Sequence, residues 1–190
     1  MSIRIRLITS TLSEQRDLDA VHIISHGSEG VIDLGGTQLE FDTLLANSTA
    51  IQGWSEAFSE QGDILIYGCN LAASAGGQAL VESLARLTGA DVAASDDITG
   101  NASLGGNWEL EYRQGEIDTQ IAVSAMLQQQ WDGLLAAPTF WDYHHTIDLA
   151  APTAVADYPI KLELIAYIPH PFGKNFSNYS TPATQRVEHV

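Results

Sequence analysis

An α/β fold built on a parallel sheet, with helices over both of its faces, is what this sequence predicts, and three observations predict it. Three compact runs, Ala20-Val21-His22-Ile23-Ile24-Ser25, Asp63-Ile64-Leu65-Ile66-Tyr67 and Asp91-Val92-Ala93-Ala94, have the length and β-branched content of buried strands. Stretches with helical spacing of apolar residues separate them, so that strand and helix alternate. The 190 residues are 45% hydrophobic and only 17% charged, against about 25% charged in ordinary domains. That balance buries a core, and it excludes disordered, collagen-like and disulfide-scaffolded chains.

Each element follows from local chemistry. Ile5, Ile8 and Leu12 stand at helical spacing within residues 1–19, and a polar turn follows at Arg16 to Asp19. The first core strand stops at His26-Gly27-Ser28-Glu29-Gly30. Val31 to Leu34 and Thr37 to Phe41 read as short strands joined through Gly35-Gly36. Asp42 to Glu60 reads as mostly helical, with Leu44, Leu45, Ile51, Trp54 and Phe58 for an inner face. The second core strand stops at Gly68-Cys69-Asn70. From about Gly77 a helix runs to Thr88, with Leu80, Leu84 and Leu87 on one stripe and Gly89 placed as its cap. After the third core strand come the polar turn Ser95 to Gly100, a hairpin of Trp108 to Tyr112 with Ile117 to Ile121 about Gln114-Gly115, and a closing helix over Ser124 to Gln130.

The register changes near Leu134-Leu135-Ala136-Ala137-Pro138, which divides the chain into a first domain over 1–135 and a β-rich segment over 136–190. In the second part Tyr158 to Leu164 alternates as a strand does. The chain carries 24 acids against 8 bases, a net charge of -16, and 19 of the acids lie in the first 135 residues. Such a surface repels phosphate, so nucleic acid and anionic membrane surfaces are poor candidate partners. No run approaches the ~18 apolar residues of a membrane span, and Arg4 and Arg6 break the pattern of a secretory signal.

Chemistry concentrates at two turns. His26 follows one core strand beside Gly27, and Cys69, the single cysteine, follows the next beside Gly68. Adjacent parallel strands bring both to the carboxyl rim of the sheet, where open α/β folds gather their reacting groups. A thiol there becomes a nucleophile if an imidazole or a helix N-terminus lowers its pKa. The expectation is a partly exposed, low-pKa Cys69 within hydrogen-bond reach of His26, with the amides of Gly27 and Cys69 as oxyanion donors. Free cysteine at a strand end is more often inert packing, and a histidine there more often a structural hydrogen-bonder. Gly68, Asn70, Asp96 and Asp97 are the candidate substrate-binding positions. The two aspartates would line a pocket, hold calcium, or form a solvated turn; His144-His145 lacks a metal-site pattern. No cofactor is expected, calcium being the one ion the acidic loops suit. Trp54, Trp108 and Trp131 read as core, and His22 as a hydrogen-bonded core residue.

Four blocks in order, Val21 to Gly30, Asp63 to Ala72, Gly89 to Gly100 and Gly105 to Glu111, resemble a bacterial domain of unknown function, family 4347, over residues 3 to 135. The resemblance implies the N-terminal region of a long, repeat-rich protein at the cell surface or outside the cell. That family is in turn similar to caspase-like cysteine peptidases, in which a His-Gly pair and a Cys after the next core strand form a dyad. By this resemblance His26 is the catalytic histidine, Gly27 its glycine and Cys69 the nucleophile. The flanking caspase signature is absent, so aspartate specificity is not implied. The family opens with two further strands and a helix before the part matched here, which makes the strand Val21 to Ser25 an expected open edge, prone to self-association. Trp141 to Asp148 and Ala156 to Ile160 resemble the start of a lectin-like β-sandwich family, domain of unknown function 2341.

Three functions follow as expectations. The leading one is a cysteine endopeptidase whose substrate is a polypeptide, including its own linker at Leu134 or Leu135, the first stretch that reads as an exposed joint. A non-catalytic structural or adhesion module of a surface protein is the second, and a calcium- or carbohydrate-dependent binding module the third.

Overall fold

The computed structural model describes residues 3–34 and 37–136, and the backbone of two strands at 162–166 and 183–187. Helix α1, Ile3–Ser13, buries the predicted stripe of Ile5, Ile8 and Leu12. Strand β1 is Leu18–Ile24, and a small antiparallel sheet follows from β2 His26–Ser28, β3 Val31–Asp33 and β4 Gln38–Leu39. The single helix expected over Asp42 to Glu60 is broken in two, α2 Phe41–Ala46 and α3 Ser48–Gln52, with a 3-10 turn at Gly53–Ala57. Asn47 makes the break: it leaves helical geometry, and its side-chain amide donates to the carbonyl of Thr43.

Strand β5, Phe58–Tyr67, is twice the expected length and runs parallel to β1, with His22 opposite Leu65 and Ile24 opposite Tyr67. Helix α4, Ala75–Thr88, starts at Ser74, whose hydroxyl accepts the amide of Gly77, and stops at Gly89, which takes the left-handed conformation at φ 71°. Strand β6, Asp91–Ala94, pairs parallel with β5. The predicted hairpin does not form. Only β7, Tyr112–Gln114, is a strand, and it pairs antiparallel with β6. Trp108 and Leu110 are both buried and pack into the core, while residues 117–121 form no ladder. Helix α5, Ala125–Gln130, forms within the expected span, and Ser124, expected inside it, is its cap.

The main sheet has the order β7-β6-β5-β1-β8-β9, where β8 is Leu162–Ala166 and β9 is Ala183–Val187. β8 lies parallel on the outer side of β1, Val21 opposite Glu163 and Ile23 opposite Ile165. The expectation of an open, self-associating edge at Val21 to Ser25 is corrected by this: the backbone groups of β1 are satisfied on both sides within one chain. Antiparallel β7 and β9 close the two ends, so the sheet is mixed, with a parallel centre. No helix among the described residues is long and apolar enough to cross a membrane.

Two cores result. One, between the sheet and α1 to α4, is aliphatic, from Ile5 and Leu12 through Ile64 and Ile66 to Leu80 and Leu84. On the other face Leu65, Tyr67, Cys69, Trp108, Trp131 and Leu135 pack under the chain that follows β6.

Candidate functional site

Because β1 and β5 are parallel neighbours, their carboxyl ends share one rim. The ladder continues one step beyond β1, where the amide of Ser25 donates to the carbonyl of Tyr67 at 3.0 Å. There the chain turns twice, at His26-Gly27 and at Gly68-Cys69-Asn70. A Cβ on Gly27 would lie 2.8 Å from the carbonyl carbon of Gly68 and 3.2 Å from the amide nitrogen of Cys69. The two turns therefore touch backbone to backbone, which no other residue at 27 allows without displacement. Asn70 reverses the chain with a φ of 57°, and its amide donates to the carbonyl of Asp97 at 2.6 Å.

The thiol does not have the environment the sequence led us to expect. Cys69 is fully buried. Its sulfur donates to the carbonyl of Thr99 at 3.4 Å and accepts the amide of Thr99 at 3.2 Å. Burial pushes the thiol pKa up and the charge of Asp97 adds to this, against the opposing pull of the amides of Thr99, Leu135 and Cys69 itself. Desolvation wins because no cation among the described residues offsets it. The expectation of a low-pKa, partly exposed thiol bonded to His26 is thus corrected: the sulfur's hydrogen bonds go to Thr99. Helix α4 begins more than a turn beyond the thiol, too far for its dipole to help. His26 is half-buried, and its Nδ1 atom is buried without a hydrogen-bond partner among the described residues.

A third element completes the site. Residues 131–136 run between the His26-Gly27 turn and the Thr99-Gly100 turn, with a bend at Gly133 and bridging contacts at Leu134 and Ala136. The amide of Gly27 donates to the carbonyl of Leu135 at 3.0 Å, and the amide of Leu135 donates to the carbonyl of Thr99 at 2.8 Å. Further back, the amide of Asn101 donates to the carbonyl of Gly133 at 2.8 Å, and its side chain to the carbonyl of Trp131. Gly27 bridges Ala136 in parallel sense, and Gly100 bridges Leu134 in antiparallel sense. Residues 134–136, the described part of the stretch that reads as an exposed joint, are instead docked. Leu135 is 4% exposed.

Of the remaining predicted positions, Gly68 lies against Gly27 and the carbonyl of Ser25. Asp96 and Asp97 are exposed. Asp97 accepts from the Asn107 side chain at 2.8 Å and 3.1 Å, and the amide of Asp96 donates to Glu111 at 3.1 Å. These bonds hold the loop that carries Thr99. No group of three or more metal-ligating side chains gathers among the described residues. Thr99 is the residue that sequence reasoning missed. Its backbone contacts both Cys69 and Leu135, a role that leaves no side-chain signature; its place in the turn after the third core strand was the available signal.

Behind the rim lies a buried polar pair. Nδ1 of His22 is 3.0 Å from Tyr67 Oη, which accepts the amide of Ala122 at 2.9 Å. Burial pushes His22 down to about 3. The ring is therefore neutral; its Nδ1 shares one hydrogen with Tyr67 Oη, and its Nε2 has no partner among the described residues. Asp63 accepts the amides of Asp118 and Thr119, and burial raises its pKa. A cavity of about 290 Å³ beside Leu65, Trp108 and Glu111 lies away from His26 and Cys69.

These features define an α/β domain in which a His-Gly turn and a Gly-Cys turn meet at the carboxyl rim of a helix-flanked sheet with a parallel centre. The chain belongs to the family described as Domain of unknown function (DUF4347), which matches residues 3–135. No curated protein and no solved structure matches it.

Proposed function

We propose that the chain is a caspase-like cysteine endopeptidase domain acting on its own C-terminal segment, within a large protein at the cell surface. The observation that carries this reading is the hydrogen bond from the Gly27 amide to the Leu135 carbonyl, at a glycine packed directly on Gly68-Cys69. An amide that polarises a peptide carbonyl beside a cysteine is what acyl transfer requires. Cys69 must first turn from Thr99 and give its proton to His26. The thiolate then attacks the carbonyl carbon of Leu135 and forms a carbon–sulfur bond, while the Leu135–Ala136 carbon–nitrogen bond breaks and His26 returns the proton to the leaving amine. Water, deprotonated by His26, hydrolyses the thioester and leaves a free thiol and a carboxylate on Leu135.

The alternative is a non-catalytic structural module, and one observation favours it: the sulfur is fully buried and held on both sides by Thr99. Intact-mass measurement of wild type and Cys69→Ala, incubated side by side from pH 5 to 9 with and without calcium, separates the two. The peptidase reading expects a product ending at Leu135 in wild type alone, and none from Gly27→Ala, whose Cβ displaces the amide donor. Equal masses throughout would leave the structural module.

A further inference from the structure

We infer that the furrow between the His26-Gly27 turn and the Thr99-Gly100 turn is a binding groove for extended apolar peptides, filled in cis by residues 131–136, which act as a strap that seals Cys69. The inference rests on the peptide-handling reading of this rim, but it concerns occupancy and not cleavage.

The strap is held as added strands are held. Leu135 gives its amide to one wall and its carbonyl to the other, and both contacts are backbone to backbone. One wall is shaped for a main chain by missing side chains. A Cβ on Gly100 would fall 2.4 Å from the carbonyl oxygen of Gly133 and 2.8 Å from Cα of Leu134, and one on Gly106 would fall 2.9 Å from a methyl of Leu134. Gly100 has a φ of +135°, which other residues rarely adopt. Backbone contacts of this kind supply affinity, and alternate side chains supply selectivity: Trp131, Gly133 and Leu135 are buried while Asp132 is exposed and Leu134 and Ala136 are half-buried. The ligand class is thus an extended peptide with a leucine-sized side chain at the position of Leu135.

Two further observations mark the groove as built for more than packing. Thr99 is fully buried, yet its hydroxyl has no partner among the described residues, and Nδ1 of His26 on the opposite wall has none either. Orphaned polar groups on residues of the two turns that form the furrow's walls are costly if the site is only structural. The strap is also lightly anchored upstream. Helix α5, which leads into it, has no buried residue, and Met126 is 60% exposed. Such segments open locally, without unfolding of the whole domain.

The test reads thiol access in the full chain, so it holds whether or not the protein cleaves itself. Cys69 is alkylated in native buffer over a series of low urea concentrations, for wild type, Leu135→Ser and Asn101→Ala. If the strap opens locally, wild-type alkylation depends on urea far less steeply than global unfolding does. Asn101→Ala, which loses the side-chain bond to Trp131 together with the cap that its Oδ1 gives the Ser103 amide and hydroxyl, should react about three to ten times faster, and Leu135→Ser at least about tenfold faster. Adding a capped Leu-Leu-Ala-Ala peptide in excess should return the variants toward the wild-type rate, and a Lys-Lys-Ala-Ala peptide should not. Should Leu135→Ser fail to fold, Asn101→Ala and the wild-type urea dependence carry the decision. Alkylation only through global unfolding, or variant rates that the Leu-Leu peptide leaves unchanged, overturns the inference.

Discussion

On the face of the sheet covered by α1 to α4, Ile5, Ile8, Leu12, Ile64, Ile66, Leu80 and Leu84 meet one another with few polar atoms among them. The opposite face holds His22, Asp63, Tyr67, Cys69, Trp108 and Trp131 under loops and one short helix. Buried polar atoms without partners among the described residues divide the same way, His26 Nδ1 at the rim aside. His22 Nε2, Asp63 Oδ1, Thr99 Oγ1 and the indole nitrogens of Trp108 and Trp131 belong to the loop-covered side, and Asn47 Oδ1 to the helix-covered side. Each such group costs about 1–3 kcal/mol. The difference teaches that one face supplies the stability that the other spends on holding polar groups in place.

If that division holds, truncation on the helical face has the largest effect. Ile66→Ala, at a position 1% exposed, should lower unfolding free energy by about 2–5 kcal/mol. Urea denaturation measures this, and it should leave the relative alkylation rates of the strap variants unchanged.

The pH dependence of stability sharpens the contrast, because it arises on the loop-covered side. His22 is held at about 3 in the folded chain against 6.5 when unfolded. Its contribution is complete above pH 6.5 and is lost as pH falls toward 3, with a slope of about 1.4 kcal/mol per pH unit once the unfolded state takes the proton. Asp63, whose folded pKa is raised, has the opposite sign: its unfavourable contribution above its folded pKa disappears on acidification. His22→Leu should therefore flatten the acid limb of thermal melts between pH 6.5 and 4. An unchanged limb would assign acid lability to other groups.

Asp97→Asn should give the smallest effect. At an exposed loop position stability should change by no more than about 0.5 kcal/mol. Removing its charge should nevertheless lower the pKa of Cys69, since that charge contributes to raising it, and alkylation rates in Leu135→Ser measured against pH would report the shift.

The helix-covered face was the more legible in sequence, because periodicity and caps write it. Ile5, Ile8 and Leu12 place α1, and Gly89 marks the end of α4. The meeting of His26-Gly27 with Gly68-Cys69 was legible for a related reason: β-branched runs that stop at glycine put both turns on one rim. What failed depends on long-range contacts. The false hairpin about Gln114-Gly115 came from local alternation, whereas Trp108 and Leu110 answer to the core and β7 to β6. Nothing local reports that Leu135 reaches Gly27, or that Thr99 brackets the sulfur, because both contacts are made by main-chain atoms common to every residue.

The carbonyl oxygen of Leu71 joins three parts of the chain. It accepts the amide of Gly30, from the hairpin that carries His26, at 3.0 Å. A Cβ on Gly77 of α4 would fall 1.8 Å from that same oxygen. The histidine hairpin, the cysteine loop and the helix are thus registered against one another through main chain alone, with no compressible side chain between them. Core rearrangements that shift side chains by fractions of an ångström are absorbed elsewhere, so the spacing of the two turns is insulated from the ordinary breathing of the interior.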